Sequence, residues 1–187
     1  MRPVNPERWQ PTSGPVDRGD ADPDLRRALA SAYDGGDAYA RAVAGLCTAR
    51  LILPTVEAPA DAEPGLSKVA DDHDHDHGDD HAHDAEHAPR AAVLLRSASG
   101  AKAVLAFTGY DALRAWRSDA HPVRCTLDDV AATVLETGAS TIVVDVAGPH
   151  QVVIEADLVA ELARGRRLAA LADGTFAWLW IDPTPDA

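Results

Sequence analysis

Apolar positions recur at helical spacing early in the chain and gather into strand-like runs later. Leu25, Leu29 and Ala32 fall at i, i+4 and i+7 on one helical face, with Asp22 or Asp24 placed to cap it. Gly35-Gly36 ends that pattern. A second helix is predicted from near Asp37, turning Tyr39, Val43 and Leu46 to a core. Residues 49–56, ARLILPTV, read as a strand. Pro54 within it predicts a sheet edge or a bulge, because proline has no N–H to give a ladder.

Beyond residue 90 the pattern becomes regular. Residues 91–96 and 101–107 are apolar runs joined by Ser97-Ala98-Ser99-Gly100, a hairpin signal. Thr108 is predicted to cap a short helix carrying Leu113 and Trp116, and residues 122–125 form a short extended piece. Thr126 with Asp129 three positions on suits a capped helix start, with Val130, Val134 and Leu135 as its apolar face and Gly138 as its end. Residues 141–146, TIVVDV, are a β-branched run broken only by Asp145. Gly148-Pro149 turns the chain, and residues 151–154 return as a partner strand. A helix over 157–164 stops at Gly165. Residues 167–172 and 175–181 then flank Asp173-Gly174, which predicts a two-residue hairpin turn. Hairpins separated by helices predict an α+β fold, an α/β-type mixed sheet with flanking helices in a single domain.

Four regions follow from this reading. Residues 1–23, with prolines at 3, 6, 11, 15 and 23, form a flexible lead whose one anchor is Trp9. Residues 24–187 form the domain. Residues 57–90 are a disordered His/Asp-rich insertion, and residues 166–182 form a C-terminal β-hairpin. With 46% hydrophobic residues the chain has enough apolar surface for a core. Its formal net charge is −13, of which residues 57–90 carry −9, so the remainder is only mildly acidic.

That distribution excludes some partners. No basic patch suited to nucleic acid is present. Arg164, Arg166 and Arg167 form the densest cationic cluster, and they stand where a helix end attracts positive charge. No window approaches the roughly 18 apolar residues of a membrane helix. The opening MRPVNPERWQPTSGPV has no apolar core of a secretory signal, so a cytoplasmic protein is expected. Cys47 and Cys125 have no CxxC spacing and read as free structural thiols.

The most overt candidate chemistry is the tract DDHDHDHGDDHAHDAEH at 71–87, which holds six of the eight histidines. His73, His75 and His77 alternate with aspartates, so an extended chain would project three imidazoles to one side. His81 and His83 repeat the arrangement, and His87 follows. Imidazole suits Zn or Ni. Without a rigid frame, binding would have to order the tract, so only loose metal buffering or sensing is expected, not a catalytic centre. The competing reading is a solvated low-complexity loop.

No other cofactor is predicted, since neither GxGxxG nor a P-loop occurs. Outside the tract the only histidines are His121 and His150; a nucleophile–base pair such as Ser118 with His121, or Ser99 with His150, can be drawn, and no GxSxG elbow supports it. We therefore expect no catalytic residues and a non-enzymatic protein. The last strand bears Phe176, Trp178 and Trp180 on one face and Ala177, Leu179 and Ile181 on the other. Such a strand is either buried on both sides or presents an aromatic partner face. Phe176, Trp178 and Trp180 are the interaction residues expected, with a protein partner or a second copy of the chain.

Several segments together resemble a bacterial family. Leu51-Ile52-Leu53-Pro54-Thr55-Val56 resembles its L-x-V-P strand. Val104-Leu105-Ala106-Phe107-Thr108-Gly109 with Ala112-Leu113-Arg114-Ala115-Trp116 resembles its A-F-T-S…A-L signature, Gly109 standing for Ser. Residues 141–149, TIVVDVAGP, resemble the strand and turn before its last helix. The chain thus resembles the SseB-like N-terminal domain, and the resemblance runs from about residue 25 to 164. It implies a small α/β domain without established catalytic residues. The family is named for a serine-sensitivity phenotype, which implies no mechanism.

Overall fold

The structure, a computed structural model, describes residues 18–57 and 90–180. Its first helix, α1 (Pro23–Ala30), is capped by Asp22, whose carboxylate accepts from the N–H groups of Asp24 at 2.7 Å and Leu25 at 3.3 Å. After Gly35, α2 (Gly36–Thr48) buries Ala42, Val43, Leu46 and Cys47. The strands β1 (Leu51–Glu57), β2 (Arg90–Ala92), β3 (Leu94–Arg96) and β4 (Lys102–Ala106) follow. The chain continues as α3 (Tyr110–Trp116), β5 (His121–Cys125), α4 (Leu127–Thr137), β6 (Thr141–Val144), β7 (Val152–Ile154) and α5 (Ala156–Leu162), and ends in β8 (Arg167–Ala170) and β9 (Phe176–Leu179).

The sheet is mixed. One part has the order β2-β1-β5 and the other β3-β4-β6-β7. Among the described strands only β4 and β6 run parallel. A bridge between Ile52 and Phe107, with bonds of 2.8 and 2.9 Å, joins the two parts. Alternating residues feed opposite cores. Leu51, Leu53, Val104, Ala106, Ile142 and Val144 pack with α1, α2, α4 and α5. Ile52, Leu105, Phe107 and Val143 pack with Ala112 and Leu113 of α3. Burial on both faces explains why these strands read as continuous apolar runs.

Several expectations change. Pro54 is not on an edge strand, since β1 lies between β2 and β5. It sits opposite Pro122, where neither residue needs to donate across that pair. On its other side β2 gives way to Val93, whose N–H donates to the Pro54 carbonyl at 3.2 Å. The missing donor thus falls where one neighbour strand leaves and Phe107 takes over. The predicted strand 91–96 is broken at Val93 for the same reason: its halves pair with different partners. Glu57 and Arg90 belong to strands and pair with each other, so residues 58–89 connect the two arms of a hairpin. The α4 capping box is present, but Leu135 is 62% exposed, because the buried stripe runs through Leu127, Val130, Ala131 and Val134. The last hairpin turns through three residues, 172–174, with Gly174 at φ 85°.

Candidate functional site

The aromatic hairpin is anchored by one face. Leu168 is buried, and Phe176 and Trp178 are partly buried against the main core. Both aromatics lie opposite small or apolar β8 residues, Ala170 and Leu168. Trp180, on the same side of the strand, runs past that support and is 59% exposed, with the Arg166 guanidinium 5.6 Å from its ring centre. Leu171 and Leu179 are 43% and 53% exposed. Among the described residues, three of the five exposed large apolar side chains therefore belong to this hairpin. The structure separates the three expected interaction residues into two that hold the hairpin and one that projects from it.

The arginines beside it are engaged. Arg164 donates to Glu161 at 2.6 Å and Arg166 pairs with the same carboxylate. Arg167 donates through Nε to Asp128 in the first turn of α4 at 2.9 Å. Specific ion pairs thus hold the cluster expected to complement a helix end. Between α1, α2 and β8 lies a groove of about 760 Å³, floored by Leu25, Ala44, Gly45 and Leu168 and edged by the Asp24–Arg27 pair.

A second feature was not legible as a site. Asp145 follows β6, is fully buried and has φ 51°, the only positive φ at a described non-glycine residue. Its carboxylate accepts from the Thr108 N–H at 2.9 Å and the Thr108 hydroxyl at 2.6 Å. Arg26 of α1 reaches in, donating through Nε to Thr108 Oγ1 at 3.1 Å and through Nη2 to Asp111 at 2.8 Å, with Asp145 3.8 Å from Nε. Thr108 therefore does not cap α3, whose N-cap is Gly109. Gly148 closes the node, for a Cβ there would stand 2.9 Å from that of Asp145. Burial pushes the Asp145 carboxyl above its usual range, against the Thr108 bonds and Arg26. With Thr108 buried too, the carboxylate has no face open to a substrate. It joins α1 to the ends of the parallel strands β4 and β6. The one sequence signal was an aspartate inside an otherwise apolar run.

The remaining candidates stay apart. His121 is exposed on β5 and His150 is half-buried in a turn. Ser99 bonds Ser97 Oγ at 2.8 Å, and no described hydrogen bond links Ser118 to His121 or Ser99 to His150. Burial raises the Cys47 thiol and pushes Cys125 up to about 12, so neither is a ready nucleophile. No cluster of three potential metal ligands occurs among the described residues. His73, His75, His77, His81, His83 and His87 lie outside them. No helix among the described residues is long and apolar enough to cross a membrane.

A mixed sheet between helical layers, with a Phe-Thr element at the end of a central strand, defines the class of α+β domain. The model of the SseB protein N-terminal domain matches residues 25–161, and the chain belongs to that family. No curated protein and no solved structure matches the chain. The hairpin β8–β9 follows the matched residues.

Proposed function

We propose that this protein is a non-enzymatic interaction domain that binds a protein through its C-terminal hairpin. The observation that carries this reading is the division of labour within one strand. Phe176 and Trp178 fix β9 on the core, while Trp180, Leu179 and Leu171 are left in water. Aromatic anchors on a rigid support are characteristic of binding surfaces. The domain supplies the support on which these side chains are presented.

Replacing each tryptophan tests this. Trp178→Ser should cost about 2–3 kcal/mol of stability, because it removes a core-packed ring. Trp180→Ser should change stability by no more than about 0.5 kcal/mol, as expected at an exposed position, yet weaken association by about tenfold or more, read by co-purification and native mass. Unchanged association in a folded Trp180→Ser protein would sink the proposal.

A second reading concerns the tract at 71–87. Six histidines lie in the connection between β1 and β2, a position from which a loop can bind Zn or Ni without altering the sheet. Titrating either ion into the protein, with and without residues 58–89, tests it. Equal affinity in both forms would end the metal reading.

A further inference from the structure

Hydrogen-bond parity decides which edge of β9 is open. The Leu171 N–H donates to the Thr175 carbonyl at 2.8 Å, which makes Leu171 and Thr175 a bonded pair. In an antiparallel ladder such pairs alternate, so Ala169/Ala177 and Arg167/Leu179 also exchange bonds within the hairpin. The N–H and C=O groups of Phe176 and Trp178 then point away from β8, and those of Trp180 continue the row. Among the described strands, β9 pairs with β8 alone. The edge is short, four residues in β9, but residues 175–180, TFAWLW, carry neither the charge nor the proline that commonly blunts an edge.

We infer that this edge pairs with β9 of a second copy of the chain, antiparallel about a two-fold axis through Trp178. The inference rests on the hairpin being the interaction surface and names its occupant. Charge favours a copy. The strand is neutral although the whole chain carries −13, and the nearby arginines are bound to Glu161 and Asp128. Two identical neutral edges meet without repulsion, whereas a strongly charged partner finds no complement along this strand. The register is self-complementary in shape as well. With Trp178 opposite Trp178, Phe176 of one copy stands opposite Trp180 of the other. The exposed ring is thereby covered by an aromatic on the same face. Ala177 meets Leu179 on the outer face. Two marginal two-stranded ribbons become one four-stranded sheet. A single strand pair buries less than the roughly 1,000 Å² of stable complexes, so the dimer is reversible and weak.

Sedimentation equilibrium on the full chain tests association, and cysteine pairing tests register. In the proposed register residues 177 and 179 form a non-bonded cross-strand pair, with Cα atoms about 4.5 Å apart, within disulfide range. Mixing Ala177→Cys with Leu179→Cys under mild oxidation should give a disulfide-linked heterodimer, while Ala177→Cys alone stays uncrosslinked. Trp180→Ser should weaken dimerisation by about tenfold or more, the loss of one aromatic pair per half-interface. A wild-type chain monomeric up to several hundred micromolar, beyond the range of specific weak complexes, would overturn the dimer. So would crosslinking of Ala177→Cys to itself in place of the mixed pair. A monomeric wild type that still loses a co-purifying protein on Trp180→Ser overturns the dimer alone and leaves the interaction surface standing.

Discussion

Asp145 shows how much one side chain can bind together. It holds a left-handed backbone conformation that aspartate and asparagine tolerate better than most residues. Its two carboxylate oxygens satisfy the Thr108 N–H and hydroxyl, and Arg26 lies behind them. Asp145→Ala leaves a buried N–H without an acceptor and puts a less tolerant residue at φ 51°, so it should cost about 3 kcal/mol. Asp145→Asn keeps an acceptor and the backbone preference, and should cost about 1 kcal/mol at most near pH 4. The pH dependence has a definite sign. Because burial raises the Asp145 pKa, its contribution to stability is complete below the unfolded value of about 3.9 and is lost as pH rises through the folded value. Asparagine does not titrate, so Asp145→Asn should gain on the wild type as pH increases from about 4 towards neutrality. Asp111, held below its usual range by Arg26, acts in the opposite sense in both proteins and largely cancels. Urea unfolding of both proteins across that pH range gives the comparison, and a pH-independent difference would refute the account.

At the scale of elements, two hairpins share one solution. Ser97 donates to the Ala101 carbonyl and Gly100 to that of Ser97, as Leu171 and Gly174 do in the last hairpin. Gly100 and Gly174 have φ values of 87° and 85°, the left-handed residue of a three-residue loop. A Cβ at either would meet nothing within 4 Å. Gly100→Ala and Gly174→Ala should therefore each cost only the backbone penalty, about 1–2 kcal/mol. Thermal unfolding measures it, and a loss much above that would mean a missed tertiary contact. The loops were visible in the sequence as Ser-Gly and Asp-Gly signals, but their length was not. A one-residue difference in loop length is decided by the register of the strands, and register depends on which faces find a core. Leu135 makes the same point on α4. Apolar identity suggested burial, and the helix phase set by its buried neighbours turned it to solvent.

For the molecule as a whole, the acidic tract is an appendage of a hairpin. Glu57 and Arg90 are cross-strand partners, so the chain ends that residues 58–89 connect already lie side by side. Replacing those 32 residues with an Asn-Gly turn should preserve the fold and raise stability by about 2 kcal/mol, the closure entropy of four halvings in loop length. It also moves the formal net charge from −13 to −4. Differential scanning calorimetry of the shortened protein checks this, and a failure to fold would assign the segment a role in the core.

Most elements, the α+β class, the domain family and the neutral aromatic strand were determined by the sequence itself. Periodicity, caps and turn residues act within a few positions of one another, where local sterics and backbone hydrogen bonds dominate. Only the tertiary structure decided that Pro54 lies in a central strand, that Thr108 serves Asp145 in place of α3, and that Trp180 projects while Trp178 is held. Each of those outcomes depends on a partner far along the chain: Val93 and Phe107 beside Pro54, Arg26 and Asp145 around Thr108, and the core beneath β9. Burial and hydrogen-bond satisfaction are properties of such assembled neighbours.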